Sequence, residues 1–72
     1  MKIEEIIGKN LKHLRLQRGL TQEAVAGKIG LHVNFYARCE RGERVPSIVN
    51  LVKLAKILKV KPYLLLKDAD EP

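Results

Sequence analysis

The sequence predicts an all-α fold, a compact domain of five short helices. Apolar residues recur at spacings of three and four through most of the chain, the period of one helical face. No stretch alternates with period two over more than a few residues, so strands are not supported. Gly19, Gly30 and Gly42 each follow a helix-like segment, where a residue of positive φ is needed to end the helix.

The first helix is predicted over about Ile3 to Arg18, with Ile3, Ile7, Leu11 and Leu14 forming one stripe. Arg15 and Arg18 place positive charge in its last turn, which suits the helix dipole. The second runs from about Gln22 to Ile29. Thr21 is its N-cap, Leu20 and Val25 have the spacing of a hydrophobic staple, and Val25, Ala26 and Ile29 face inward. Gly27 inside it reads either as a tolerated surface glycine or as a close backbone approach. The third spans about Val33 to Arg41. Leu31 and Tyr36 repeat the staple spacing, while His32 stands where Ser, Thr, Asp or Asn would cap better. The fourth runs from about Ile48 to Lys59 with Ser47 as N-cap. Ile48, Leu51, Val52, Leu54, Ala55 and Leu58 make a broad apolar face that excludes Val49 and Ile57. A short fifth helix opens with Pro62 at its first position and carries Tyr63, Leu64, Leu65 and Leu66.

Size and composition narrow the function classes. Seventy-two residues make one domain, and a chain this small buries only about 60% of its unfolded surface. Residues 1–67 are expected to form that domain, with 68–72 a short acidic tail. One cysteine allows no internal disulfide, and Cys39 on an apolar register reads as a small buried hydrophobe. With His13 and His32 as the only histidines, a zinc site is not expected, nor is any cofactor. No apolar run approaches membrane-spanning length and no signal-peptide layout opens the chain, so a soluble, cytoplasmic protein is expected. The net charge of +6 points towards a polyanionic partner. An enzyme is disfavoured: Cys39 is expected to be buried, and nothing brings His13 to it. Single-stranded RNA is disfavoured by the lack of an aromatic stacking platform.

The second and third helices are joined by only a few residues around Gly30, the layout of a helix-turn-helix. Here the chain resembles a known family. GLTQEAVAGKIGL followed by ERGERVPSIVNLVKLAKILKV is similar to the Xre/Cro-type helix-turn-helix family of phage repressors and small bacterial regulators. The likeness rests on Leu20-Thr21-Gln22-Glu23, Ala26, Gly30, Glu40-x-Gly42, Pro46-Ser47 and Leu54-Ala55-Lys56-x-Leu58, and covers roughly residues 7–66. It implies a lambda-repressor-like DNA-binding domain with the third helix in the major groove and the second across the backbone.

Under that resemblance, His32, Val33, Asn34, Ala37 and Arg38 are the expected base contacts. Asn34 can pair with adenine, Val33 and Ala37 can meet a thymine methyl, and Arg38 can reach guanine or a phosphate. Polar residues are usual in the family at the positions of Val33 and Ala37, so hydrogen-bonded readout should be sparse and shape readout more important. His32 near phosphates suggests a modest pH dependence of binding. Gln22, Phe35, Arg41 and Arg44 are the expected phosphate contacts. Arg15 and Glu40 resemble a family pair that ties the first helix to the third by a salt bridge.

One recognition helix reads few base pairs, so a homodimer on a palindrome is expected, with Val49, Ile57, Tyr63 and Leu64 as its interface and Leu65 and Leu66 facing the core. No small-molecule effector and no membrane partner are expected. Phage repressors, Cro-like proteins, antitoxins and restriction-modification controllers are all small family members of this kind, and the short chain leans towards a controller or phage-type regulator. The competing reading is an interaction module that keeps the helix-turn-helix scaffold without specific DNA contact.

Overall fold

The computed structural model describes residues 2–68. Within them the chain runs α1 (Ile3–Gln17), α2 (Gln22–Lys28), α3 (Val33–Glu40), α4 (Ile48–Ile57) and a closing 3-10 turn (Pro62–Leu65), with no strand. Of the acidic tail expected over 68–72, residues 69–72 lie outside the described residues.

Local chemistry starts each helix. The Thr21 hydroxyl accepts from Ala24 N–H at 3.0 Å, and the Ser47 hydroxyl accepts from Asn50 N–H at 3.1 Å. At the head of α1, Glu5 accepts from the Lys2 backbone N–H at 3.2 Å, half of a capping box. His32 caps α3 through its ring: Nδ1 accepts from Asn34 N–H at 3.1 Å. The helix ends share one device. In each, the N–H two residues past the cap reaches back to a carbonyl: Leu20 to Arg15, Leu31 to Ala26, Glu43 to Arg38 and Val60 to Ala55. The first three put Gly19, Gly30 and Gly42 at the positive-φ position, and α4 uses Lys59, at φ 58°.

Packing joins α1 to α3, α2 to α3 and α4, and the closing turn to α1 and α4. The core is Ile7, Leu11, Val25, Ala26, Tyr36, Cys39, Leu54, Ala55, Leu58 and Leu65. α1 crosses α3 at Gly8, where an added Cβ would stand 2.6 Å from the carbonyl oxygens of Cys39 and Glu40. The close approach considered for Gly27 belongs here instead, because Gly27 faces open space.

Several expectations need correction. The fifth helix is a 3-10 turn, closed by bonds from Leu64 N–H to Lys61 O and from Leu66 N–H to Tyr63 O, each 3.0 Å. Four residues are too few for an α ladder. Asn10 Nδ2 also donates to the Leu65 and Lys67 carbonyls, each at 2.9 Å, and pins the turn to α1. On α4 the inward face is narrower than expected: Ile48 is 77% exposed and Val52 is exposed too. These two form an i, i+4 stripe rotated away from the Leu54–Leu58 stripe that enters the core. Ile3 lies in the first turn, beyond the edge of the core, and Leu66 follows the turn's last packed residue; both are exposed.

Candidate nucleic-acid interface

The short link through Gly30 sets α3 directly after α2, and the His32 cap fixes where α3 begins. From that start His32, Asn34 and Arg38 are exposed. Together with Phe35 and with Arg44 from the loop after α3, they line an open groove of about 400 Å³. Residues expected to meet bases and residues expected to meet phosphates thus share one concavity. Val33 and Ala37, expected to face outward, are half-buried. Val33 packs partly on the core, as does Phe35. The register explains this: Val33 lies three residues before the buried Tyr36, and Ala37 three residues before the buried Glu40, so each shares part of the inward face.

The loop carries concentrated positive charge. Arg41 Nε donates to Glu43 Oε2 at 2.8 Å, and both side chains are exposed. The Glu43 carboxyl is held below the usual carboxylate range, first by that hydrogen bond, which outweighs the opposing desolvation, and then by the smaller effects of the charges of Arg41, Arg38 and Arg44. These guanidiniums therefore act on one small region. An exposed pair such as Arg41–Glu43 is weak and screened by salt, so it does not lock Arg41 away from another anion.

Behind the surface lies a buried polar knot. Arg15 Nε donates to Glu40 Oε2 at 2.6 Å and Nη2 to Glu40 Oε1 at 3.1 Å, while Nη1 donates to the Leu20 carbonyl at 2.8 Å. The two side chains are only 10% and 2% exposed. Gln22 Nε2 also donates to Glu40 Oε1, at 3.0 Å. Burial alone would raise the Glu40 pKa. Hydrogen bonds from Arg15 and Gln22, with the neighbouring Tyr36 hydroxyl and the charge of Arg15, outweigh burial and hold the carboxyl below its ordinary range. The Tyr36 hydroxyl is sealed beside them without a hydrogen-bond partner. Its own burial, then the neighbouring Glu40, push its pKa above the ordinary phenol range.

Sequence reasoning placed Gln22 at the surface and did not foresee its bond to Glu40, eighteen residues away. Asn10 was missed as well. A polar residue beside an apolar stripe was its only signal. Val49 and Tyr63, at 59% and 60% exposure, are open to solvent, whereas Ile57 and Leu64 are half-buried. Ile57 lies in a separate groove of about 310 Å³ with Ile29, Lys28, Lys53 and Lys56. Among the described residues, no cluster of His, Cys, Asp and Glu could hold a metal ion, and no helix is long and apolar enough to cross a membrane.

A helix-turn-helix family model matches residues 11–65, which include the whole α2–α3 unit and the α4 scaffold. The chain belongs to this helix-turn-helix family. Among its relatives, the HTH-type transcriptional regulator y4dJ of Sinorhizobium fredii is 35% identical over 71 residues, covering 99% of this chain and 92% of that protein. The control protein C.SmaI of Serratia marcescens is 37% identical over 69 residues, covering 94% and 82%. Among solved structures, the restriction-modification controller protein C.AhdI of Aeromonas hydrophila superimposes with a TM-score of 0.81 at 39% identity, covering 86% of this chain and 94% of that one. The family-model match begins within α1 and runs to the end of the closing turn, so it takes in α4 as well as the α2–α3 unit.

Proposed function

We propose that this helix-turn-helix chain is a sequence-specific, double-stranded DNA-binding transcriptional regulator. It acts as a homodimer on a palindromic operator, with α3 in the major groove. The observation that carries the reading is the shared groove at the start of α3, where His32, Asn34, Phe35, Arg38 and Arg44 converge. Asn34 is suited to adenine, and Arg38 to guanine or a phosphate. Val33 and Ala37 offer only partly exposed apolar edges, so their contribution is contact with a thymine methyl at most. Gln22, Phe35, Arg41 and Arg44 hold the phosphates on either side, and His32 serves as both cap and groove wall. Size supports pairing. The Cα extents are 33 × 23 × 21 Å, so two adjacent copies fit half-sites one helical turn, about 34 Å, apart. The similarity to control proteins supports a regulator that responds to its own concentration through dimerisation and operator occupancy.

The test is selection of duplexes from a random library, followed by titration of the best sequence and a scrambled control at two salt concentrations. A preference of about 10³ or more with occupancy steeper than first order in protein supports the reading. Equal, strongly salt-dependent binding to both duplexes means that only phosphates are felt and removes the claim of specificity. No binding at low salt favours an interaction module on the same scaffold.

A further inference from the structure

A glutamine that contacts a phosphate has a difficulty that arginine and lysine do not. Its carboxamide is neutral and can turn either end outward, and a phosphate oxygen accepts hydrogen bonds only from the NH₂ end. Gln22 meets this difficulty from inside the protein. Its Nε2 donates to Glu40 Oε1, and a carboxylate cannot donate in return, so the flipped amide would set oxygen against oxygen. The carboxylate is itself immobilised. Arg15 grips both Glu40 oxygens, and Arg15 is anchored to the Leu20 carbonyl. Leu20 O, Arg15, Glu40 and Gln22 thus form one chain of hydrogen bonds. It links α1, the turn before α2, the last residue of α3 and the first residue of α2. Arg15 also neutralises the carboxylate, which would otherwise repel an approaching phosphate.

We propose that Glu40 is a positioning residue for Gln22, holding one amide N–H inward so that the second is presented to a DNA phosphate. The proposal rests on the reading of this chain as a DNA-binding regulator. Glu40 touches no DNA. It removes rotamer freedom from Gln22 before binding, so less entropy is lost on contact.

Two measurements test it. The first needs no variant. Gln17 and Gln22 are the glutamines of the chain, and Gln17 is exposed, so Gln17 serves as an internal control. In free wild-type protein, ¹⁵N relaxation of the side-chain amides should give Gln22 an order parameter near the rigid-backbone value of about 0.85, with Gln17 below about 0.6. A Gln22 amide as mobile as that of Gln17 overturns the proposal. The second is a double-mutant cycle on binding to the selected duplex, using protein shown to be folded by circular dichroism. Glu40→Gln should weaken binding about fivefold to tenfold in the wild-type background, and by less than about twofold in the Gln22→Ala background. Equal losses in both backgrounds would mean a structural role only and overturn it. If Glu40→Gln does not fold, the relaxation measurement decides alone. Wild-type protein that binds no duplex overturns the DNA-binding reading and this inference together. A rigid Gln22 with a null cycle overturns only the inference.

Discussion

At the scale of single residues, Glu40 makes stability depend on acid in a definite direction. Its carboxyl is held below the ordinary value of 4.5 in the folded chain, so as pH falls the unfolded chain takes up the proton first. The stabilisation is present above about pH 4.5 and is lost as pH falls through the lower folded value. Melting temperatures measured from neutral pH to about pH 3 should therefore fall more steeply for wild type than for Glu40→Gln. Parallel curves would remove Glu40 as the cause. Breaking so buried a pair costs about 3–5 kcal/mol, a large share of what a domain of this length has to spare. Glycine tests the same scale with opposite signs. Gly8→Ala drives a Cβ against two backbone carbonyls and should destabilise by about 1–3 kcal/mol even after the helix-propensity gain of alanine. Gly27→Ala meets nothing and should stabilise by about 0.5–1 kcal/mol. Denaturant melts of the two variants shifting in the same direction would refute this. Sequence pattern singled out Gly27 because it interrupts a helix, and passed over Gly8. The carbonyls that crowd Gly8 come from α3, over thirty residues away, and periodicity carries no information about such a crossing.

At the scale of elements, legibility depended on how local the cause is. The caps at Thr21 and Ser47 and the glycine stops act within a few residues, and the helix starts at Gln22 and Ile48 and the ends before Gly19, Gly30 and Gly42 follow from them. The end of α4 did not follow, because the chain enters the left-handed region at Lys59 with no glycine to announce it. Nor did the face of α4. With so many apolar positions in ten residues, more than one stripe satisfies the period, and only packing against α2 and the closing turn chooses between them. The candidate site divides in the same way. Its membership could be assembled from the order of helices, but the half-burial of Val33 and the inward bond of Gln22 depend on tertiary distances. Lys59 supplies the prediction for this scale. A non-glycine residue at φ 58° stores about 1 kcal/mol or more of backbone strain, partly offset by the greater freedom glycine has when unfolded. Lys59→Gly should raise stability by a few tenths to about 1 kcal/mol in a thermal melt, and a lower melting temperature would count against that accounting.

At the scale of the whole molecule, charge restricts where two copies of the proposed homodimer can meet. Between residues 45 and 67 the chain carries Lys53, Lys56, Lys59, Lys61 and Lys67 and no acidic residue. A two-fold contact centred on Ile57 would bring Lys28, Lys53 and Lys56 of both copies together, and such like-charge juxtaposition is costly. The apolar surface better suited to self-association is exposed and lies elsewhere: Val49, with Ile48 and Val52 beside it on α4, and Tyr63 on the closing turn next to the half-buried Leu64. We therefore propose that the expected interface uses Val49, Tyr63 and Leu64 more than Ile57. Leu64→Asp tests this but also disturbs a half-buried position, so exposed positions give the cleaner experiment. Val49→Asp and Tyr63→Asp should each leave the melting of the monomer within about 0.5 kcal/mol and weaken dimerisation about tenfold or more, read by sedimentation at micromolar concentration. Ile57→Asp should weaken it less, because its neighbours are lysines. Operator occupancy should then lose its steepness in the first two variants while the preference for the selected sequence survives at higher protein concentration, since α3 is untouched. Dimers that persist in both Val49→Asp and Tyr63→Asp would move the two-fold axis to another face of the molecule.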